Sequence, residues 1–204
     1  MFVGITGNSG TGQSAVAAVF AGMGAVVCSL DGAGHRLLDR KYVRSDLAMK
    51  LYRPELTHMT GLSVRTELAR SAFTDHGIME ALESVLHPRM RRWASLSRQL
   101  LDGSGGVVVL EGALIFELGL DALLDRMVVV TDTERRSAER LRARDGVGPE
   151  IVTARWKRQW NLQRKAGLAD YVLENRGTLS ELNEEAKNLY ISLADEWTNR
   201  TGAD

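Results

Sequence analysis

Apolar residues in this chain fall into short unbroken runs, separated by longer stretches with helical spacing. Phe2 to Thr6 (FVGIT), Ala25 to Leu30, Val107 to Leu110, Arg126 to Val130 and Ala169 to Leu173 are the short runs. Runs of this length suit strands of a parallel sheet, buried on both faces. Ser14 to Ala21 is apolar and rich in alanine, which predicts a helix. From about residue 36 to 102 the spacing is helical. Ser63 is placed to cap Val64 to Phe73, a segment with Val64, Leu68 and Ala72 on one face. Ile78 to Leu101 is a long helical pattern in which His87-Pro88 predicts a kink or break. Asp102 to Gly106 is a loop. Thr131-x-x-Glu134 reads as a capping box for a helix through Arg144, and Pro149 as the first position of a helix through about Ala166. Thr178-x-x-Glu181 caps a last helix with Leu182, Ala186, Leu189, Leu193 and Trp197 on one face. Strands alternating with helices predict an α/β fold: a parallel sheet flanked by helices, with a helical insert after the second strand.

The first strand and first helix are joined by Gly7-Asn8-Ser9-Gly10-Thr11-Gly12-Gln13-Ser14. This is the phosphate-binding pattern G-x-x-x-x-G-K-[ST] except that Gln13 stands where the pattern has lysine. A strand, glycine loop and helix in that order aim backbone N–H groups and the positive helix end at an anion. The amides of Gly10, Thr11, Gly12, Gln13 and Ser14 are therefore candidates to cradle a nucleotide phosphate, with the Ser14 hydroxyl on Mg²⁺. Gly10-x-Gly12-x-x-Ala15 also fits a dinucleotide fingerprint, with Asp31 nineteen residues beyond Gly12. No Tyr-x-x-x-Lys pair occurs, which removes the short-chain dehydrogenase version, and an arginine-rich segment near residue 140 has no role in hydride transfer. Asp31 follows the second strand, where ligands of open α/β sheets bind. Its role stays open there: a cap for the following helix, or a carboxylate that orients or deprotonates an acceptor hydroxyl or holds magnesium through water.

The arginine-rich segment, Arg135 to Asp145, places Arg136, Arg140 and Arg144 on one helical stripe, ahead of a Gly146-Val-Gly-Pro149 hinge. That arrangement favours a lid over a solvated charged face, since closure would exclude water from a transferring phosphate. The chain has 21 Arg against 5 Lys, yet its formal net charge is zero, so no global attraction to nucleic acid or membrane follows. With no secretory signal and no apolar run of spanning length, a cytoplasmic location is expected. The single cysteine, Cys28, excludes an internal disulfide and reads as a packing residue. His35, His58, His76 and His87 lack metal-ligand spacing, which leaves nucleotide-bound Mg²⁺ as the expected metal. At 204 residues the chain fits one domain with insertions.

The order of these features resembles the dephospho-CoA kinase family, over nearly the whole chain to about Ser192. Gly4 through Ser14 resembles its P-loop, and Ser29-Leu30-Asp31 its Asp-x-Asp. Arg65-x-x-Leu68 with Phe73 resembles its substrate-side helix, and Leu86-His87-Pro88 its His-Pro signature. Leu114-Ile-Phe-Glu117 is similar to its Pro-Leu-Leu-Phe-Glu segment. Arg140 to Asp145 resembles its lid, Gln159 the helix after it, and Ala169-Asp170 with Asn175-x-Gly177 its adenine-side ending. The resemblance implies a P-loop kinase fold and ATP-dependent phosphorylation of the ribose 3′-hydroxyl of dephospho-CoA, with ATP and Mg²⁺ as cofactors. It implies a nucleotide-binding core at 1–35 and 103–204 with a lid at about 133–166, and a CoA-substrate-binding insert at 36–102. By the same resemblance Asp31 and Arg140 are catalytic, Ala15 and Arg144 join the nucleotide-binding residues, and Arg65 and His87 hold substrate. No residue points to a protein partner.

This chain departs from the family at Gln13, at Ala15 in place of threonine, at Ser29 in place of the first aspartate, and at Ala113 in place of proline. A glutamine amide donates a hydrogen bond to phosphate but brings no charge. Two readings follow: a kinase of weakened turnover, in which Arg136, Arg140, Arg144 or Lys165 supplies charge, and a non-catalytic nucleotide- or CoA-binding protein that acts as a sensor or interaction module.

Overall fold

The computed structural model describes residues 1–72, 75–103 and 105–202. Phe73, expected to close a helix, lies outside them. The chain forms two compact units, one of Met1–Ser29 with Ser97–Asp204 and one of Leu30–Leu96.

In the first unit, β1 (Phe2–Gly7) leads through the glycine loop to α1 (Gln13–Gly22), and β2 (Val26–Ser29) follows. The helical unit holds α2 (Leu30–Leu38), α3 (Lys41–Leu51), α4 (Gly61–Ala72) and most of α5 (His76–Leu101). The chain then returns through β3 (Val108–Glu111), β4 (Arg126–Thr131), α6 (Glu134–Asp145), α7 (Pro149–Trp156), α8 (Leu162–Ala166), β5 (Tyr171–Glu174) and α9 (Leu179–Thr201). Among the described residues the strands form one all-parallel sheet in the order β2-β3-β1-β4-β5. With β1 in the middle, the loop after it opens at the carboxyl edge of the sheet, flanked there by the ends of β3 and β4.

Burial explains the apolar runs of the inner strands, whereas the edge strands β2 and β5, expected to be buried as well, expose Val26 and Val172. Every residue of β1 and β3 is buried, and α1 and α9 cover one face of the sheet with Val16, Phe20, Leu182, Ala186, Leu189 and Leu193. Phe20 meets Tyr190 edge-on at 5.3 Å, a favoured aromatic geometry. The helical unit has its own core of Leu38, Val43, Leu47, Leu56, Val64, Leu68 and Val85.

Local differences from the sequence reading have identifiable causes. The chain passes from β2 directly into α2, so Asp31 to His35 are helical and belong to the helical unit. Thr60 rather than Ser63 starts α4, its hydroxyl accepting from the Ser63 amide. Pro88 is carried inside a continuous α5; a proline removes one helix hydrogen bond, and twenty-six residues of helix absorb that loss. The capping threonine of α6 is Thr133, whose hydroxyl accepts from the Arg136 amide, because Thr131 still belongs to β4. The helix begun by Pro149 ends at Trp156, and Asn161 caps the next through the Gln163 and Arg164 amides. The Thr178–Glu181 capping box is formed as expected. Cys28 is half-buried on the edge strand rather than in the core.

Leu193 is fully buried against this sheet. Leu193→Ala is expected to lower unfolding free energy by about 2–5 kcal/mol, measurable as a lower urea midpoint at unchanged slope.

Candidate functional site

The loop Gly7–Ser14 owes its shape to glycines. Gly10 and Gly12 have φ of 91° and 112°, a region that L side chains rarely adopt. Space is also short: a Cβ on Gly10 would run into the Ser137 carbonyl of α6, and one on Gly12 would stand 2.5 Å from Asn175 Nδ2.

Side chains from three other segments hold the loop's carbonyls. Trp156 Nε1 donates to the Ser9 carbonyl at 3.0 Å, and Arg140 to the Gly10 carbonyl at 2.7 Å. Asn175 Nδ2 donates to the Thr11 carbonyl at 2.8 Å. The Gly12 carbonyl accepts from the Ala15 and Val16 amides as α1 begins. Gln159 clamps Ser9 twice, accepting from its amide at 2.9 Å and donating to its hydroxyl at 2.8 Å. Among the described residues, the amides of Gly10, Gly12, Gln13 and Ser14 are engaged by none of these contacts. They sit at the start of α1, whose first turn carries no acidic residue to offset its positive end.

Gln13 turns back on its own loop. It is 7% exposed, with Oε1 3.1 Å from the Thr11 hydroxyl. That hydroxyl also lies 2.9 Å from the Asn8 carbonyl, and with one proton it serves one acceptor at a time. Ser14 is exposed, and its hydroxyl donates to Glu111 Oε1 at 2.8 Å. Ala15 is half-buried in the first turn of α1.

The arginine stripe divides by function. Arg140 pairs with Asp132, a carboxylate with no exposed side-chain surface, while gripping Gly10. Arg136 lies 3.5 Å from the same carboxylate and donates to the carbonyls of Arg176 and Gly177. Arg144 is 63% exposed and pairs with Asp145, which Arg155 also binds. Arg144 and Arg155 pull the Asp145 carboxyl below its ordinary value, against the opposing effect of burial.

Lys165 is not placed to lend charge to the loop. Its side chain is wholly buried, with Nζ 2.8 Å from both the Ala113 carbonyl and Glu117 Oε1. Burial pushes its ammonium below the usual lysine range, against the opposing pull of Glu117. Glu117 Oε1 also accepts from the Trp160 amide at 2.6 Å, and Trp160 stacks on Phe116. Lys165 thus ties the segment after α7 to the segment after β3.

Asp31, Arg65 and His87 lie in the helical unit. Asp31 is exposed in the first turn of α2, inside the helix rather than capping it. Arg65, half-buried on α4, lies 3.8 Å from Asp39 and donates to the His35 carbonyl at 3.4 Å, which brings it to the helix that carries Asp31. His87 is half-buried in the middle of α5.

Sequence reasoning missed Glu111, Asp132 and Trp156. For Glu111 a signal was there: an acid closing the run Val107 to Leu110 stands at a carboxyl strand end, where ligands of parallel sheets bind. Trp156 and Asp132 carry no such pattern.

A family model described as dephospho-CoA kinase matches residues 1–181. A curated dephospho-CoA kinase of Thermus thermophilus is 34% identical over 193 residues, covering 95% of this chain and 92% of that protein. A crystal structure of a Thermus thermophilus protein is 33% identical with a TM-score of 0.73, over 95% of this chain and 97% of that one. The dephospho-CoA kinase structure from Campylobacter jejuni, at 20% identity, shares the fold at a TM-score of 0.64, over 95% and 97% of the two chains.

Removing Lys165 would leave Glu117 buried beside an apolar group. Lys165→Met is expected to cost about 3–5 kcal/mol of stability, and adding Glu117→Gln to recover most of it. Chemical denaturation of both variants tests this; equal loss in the two would contradict the pairing.

Proposed function

The chain belongs to the dephospho-CoA kinase family, and we propose that it carries out that family's phosphoryl transfer at a rate held down by Gln13. The reaction moves the γ-phosphoryl of ATP to the ribose 3′-hydroxyl of dephospho-CoA. Such transfer asks little covalent work of a protein; it asks for positioning and for stabilisation of charge.

Positioning is well provided. The amides of Gly10, Gly12, Gln13 and Ser14, with Ala15 behind them, form the bed for the β-phosphate, and the helix end adds its partial charge; the Thr11 amide, expected among them, is instead taken by the Asn8 carbonyl at 3.0 Å. Arg140 keeps that bed in shape through Gly10, and Arg144, the exposed member of its stripe, meets the nucleotide. Asp31 orients the acceptor hydroxyl and takes its proton. Arg65 and His87 hold dephospho-CoA, and the helical segment 36–102 is the part that receives it. Among the described residues no helix is long and apolar enough to cross a membrane, and we place the reaction in the cytoplasm.

Magnesium fits the donors present. Ser14 Oγ and Glu111 Oε1 are hard oxygens 2.8 Å apart at the mouth of the loop, the kind of ligand this ion takes. Among the described residues no three His, Cys, Asp or Glu side chains gather to hold an ion, so the nucleotide's phosphates must complete the shell. When bound there, the ion neutralises charge on the phosphates.

Charge at the transferring group is what the chain lacks. The position that carries lysine in the P-loop pattern carries a neutral amide, and that amide faces inward to Thr11. This single observation carries the proposal. Loss of one preorganised donor costs about 10²–10³ in rate in other enzymes, whereas binding rests on backbone groups that remain.

A coupled ADP-release assay with dephospho-CoA, run on the protein and on Gln13→Lys, tests it. ATP is expected to bind both with similar affinity, and kcat to rise at least about 10²-fold in the lysine variant. Equal kcat in the two would show the charge to be supplied elsewhere. No turnover in either, with CoA still bound, would make the protein a non-catalytic binder.

A further inference from the structure

Asp132 follows β4 with its side chain wholly buried, and it faces two arginines of α6. Arg140 pairs with it directly, and Arg136 lies 3.5 Å away. Each guanidinium then carries on to a different backbone segment. Arg140 donates to the Gly10 carbonyl of the phosphate loop at 2.7 Å. Arg136 donates to the carbonyls of Arg176 and Gly177, in the short turn between the end of β5 and Thr178, the cap of α9. Resting on the kinase reading above, we infer that Asp132 is a positioning residue for both ends of the nucleotide: it sets the phosphate bed through Arg140 and the turn that carries the nucleoside through Arg136.

The turn at 175–177 is built onto the loop. Asn175 donates from its amide to the Thr131 carbonyl and from Nδ2 to the Thr11 carbonyl, each at 2.8 Å. The turn leaves the carboxyl end of β5, the edge at which ligands of parallel sheets bind. A nucleotide with its phosphates on the loop extends its nucleoside past it, and this turn, bonded to Thr11, is a wall beside it. None of the contacts above takes the Arg176 and Gly177 amides, which leaves two donors there for a base or a ribose.

The chemistry explains why a charge is buried at 132. A buried ion pair seldom adds net stability over apolar residues of the same volume. It does supply direction: a guanidinium is a rigid planar fork, so fixing one edge on a carboxylate aims the other edge at a carbonyl. Arg136 and Arg140 stand one turn apart on α6 and so can share one acid. The acid is itself held, with Oδ1 accepting from the Thr133 amide at 2.6 Å. Arg136 keeps a third of its side chain exposed, so replacing it opens no core cavity.

Calorimetry with ADP and with inorganic pyrophosphate, both in excess Mg²⁺, separates the two arms. The ratio of the pyrophosphate to the ADP dissociation constant reports what the nucleoside adds, and it does not change with the folded fraction. In Arg136→Met, ADP affinity is expected to fall about 10-fold, the scale of a hydrogen bond to a charged group, while pyrophosphate affinity stays within about 2-fold because its bed is untouched. Asp132→Asn is expected to weaken both ligands, ADP by the larger factor. Adding Arg136→Met to it is expected to cost ADP less than about 2-fold more, since that arm is already released. Arg136→Lys keeps the charge but loses the fork, and is expected to behave as Arg136→Met. Unchanged ADP affinity in Arg136→Met would overturn the inference, as would equal losses of ADP and pyrophosphate in either single variant. Full ADP affinity in Arg136→Lys would overturn it as well, by showing that charge alone is used. If Asp132→Asn does not fold, the two Arg136 variants decide. Absence of ADP binding in the unaltered protein would instead defeat the kinase reading on which the inference rests.

Discussion

The site depends on which way one loop's peptide groups face. Between Asn8 and Gly12 each carbonyl is claimed by a donor: Thr11 for Asn8, Trp156 for Ser9, Arg140 for Gly10, Asn175 for Thr11 and the start of α1 for Gly12. With the carbonyls so occupied, the amides of Gly10, Gly12, Gln13 and Ser14 are left for an anion, and two glycines at positive φ make the turn possible without strain. An anion-binding loop built this way is ordered before its ligand arrives. The entropy of arranging several amides around a phosphate is then spent in folding rather than in binding.

Those donors also redefine the lid. Arg140, Trp156 and Gln159 come from the segment expected to swing over the nucleotide, yet each is bonded to the loop itself. Asp132 explains why Arg140 stays: its buried carboxylate needs a cation, and an arginine fork serves the acid and a carbonyl together. Lys165 anchors the far end of the segment in the same manner through Glu117. Arg144 is set apart from these: it is 63% exposed near the Gly146 end of α6 and pairs with Asp145. Arginines that looked interchangeable along one helical stripe are therefore separated by their acceptors into two that brace and one that reaches outward.

This separation marks where sequence reasoning stopped. The inner strands β1, β3 and β4 were legible because burial on both faces leaves a continuous apolar run, and α9 because its buried positions recur at helical spacing. Phosphate-loop glycines were legible because backbone conformation demands them. Caps were less so: Thr131 and Thr133 are equally good capping residues, and the choice was made by how far β4 extends, which is a property of its pairing with β5. Pro88 was read as a break from local cost alone, whereas α5 runs on through it, with Val85, Met90 and Ala94 buried on either side. Lys165 and Glu117 are distant in sequence, and no spacing rule connects them.

Backbone groups and single side chains contribute to a site of this kind in different ways. Backbone amides belong to the fold and persist through any substitution that keeps the loop, so phosphate recognition outlasts the loss of a side chain. Charge, by contrast, belongs to single residues. Lys165 is held by Glu117 and Arg140 by Asp132, so each of these cations already has a carboxylate to neutralise, and position 13 itself carries a neutral amide turned toward Thr11.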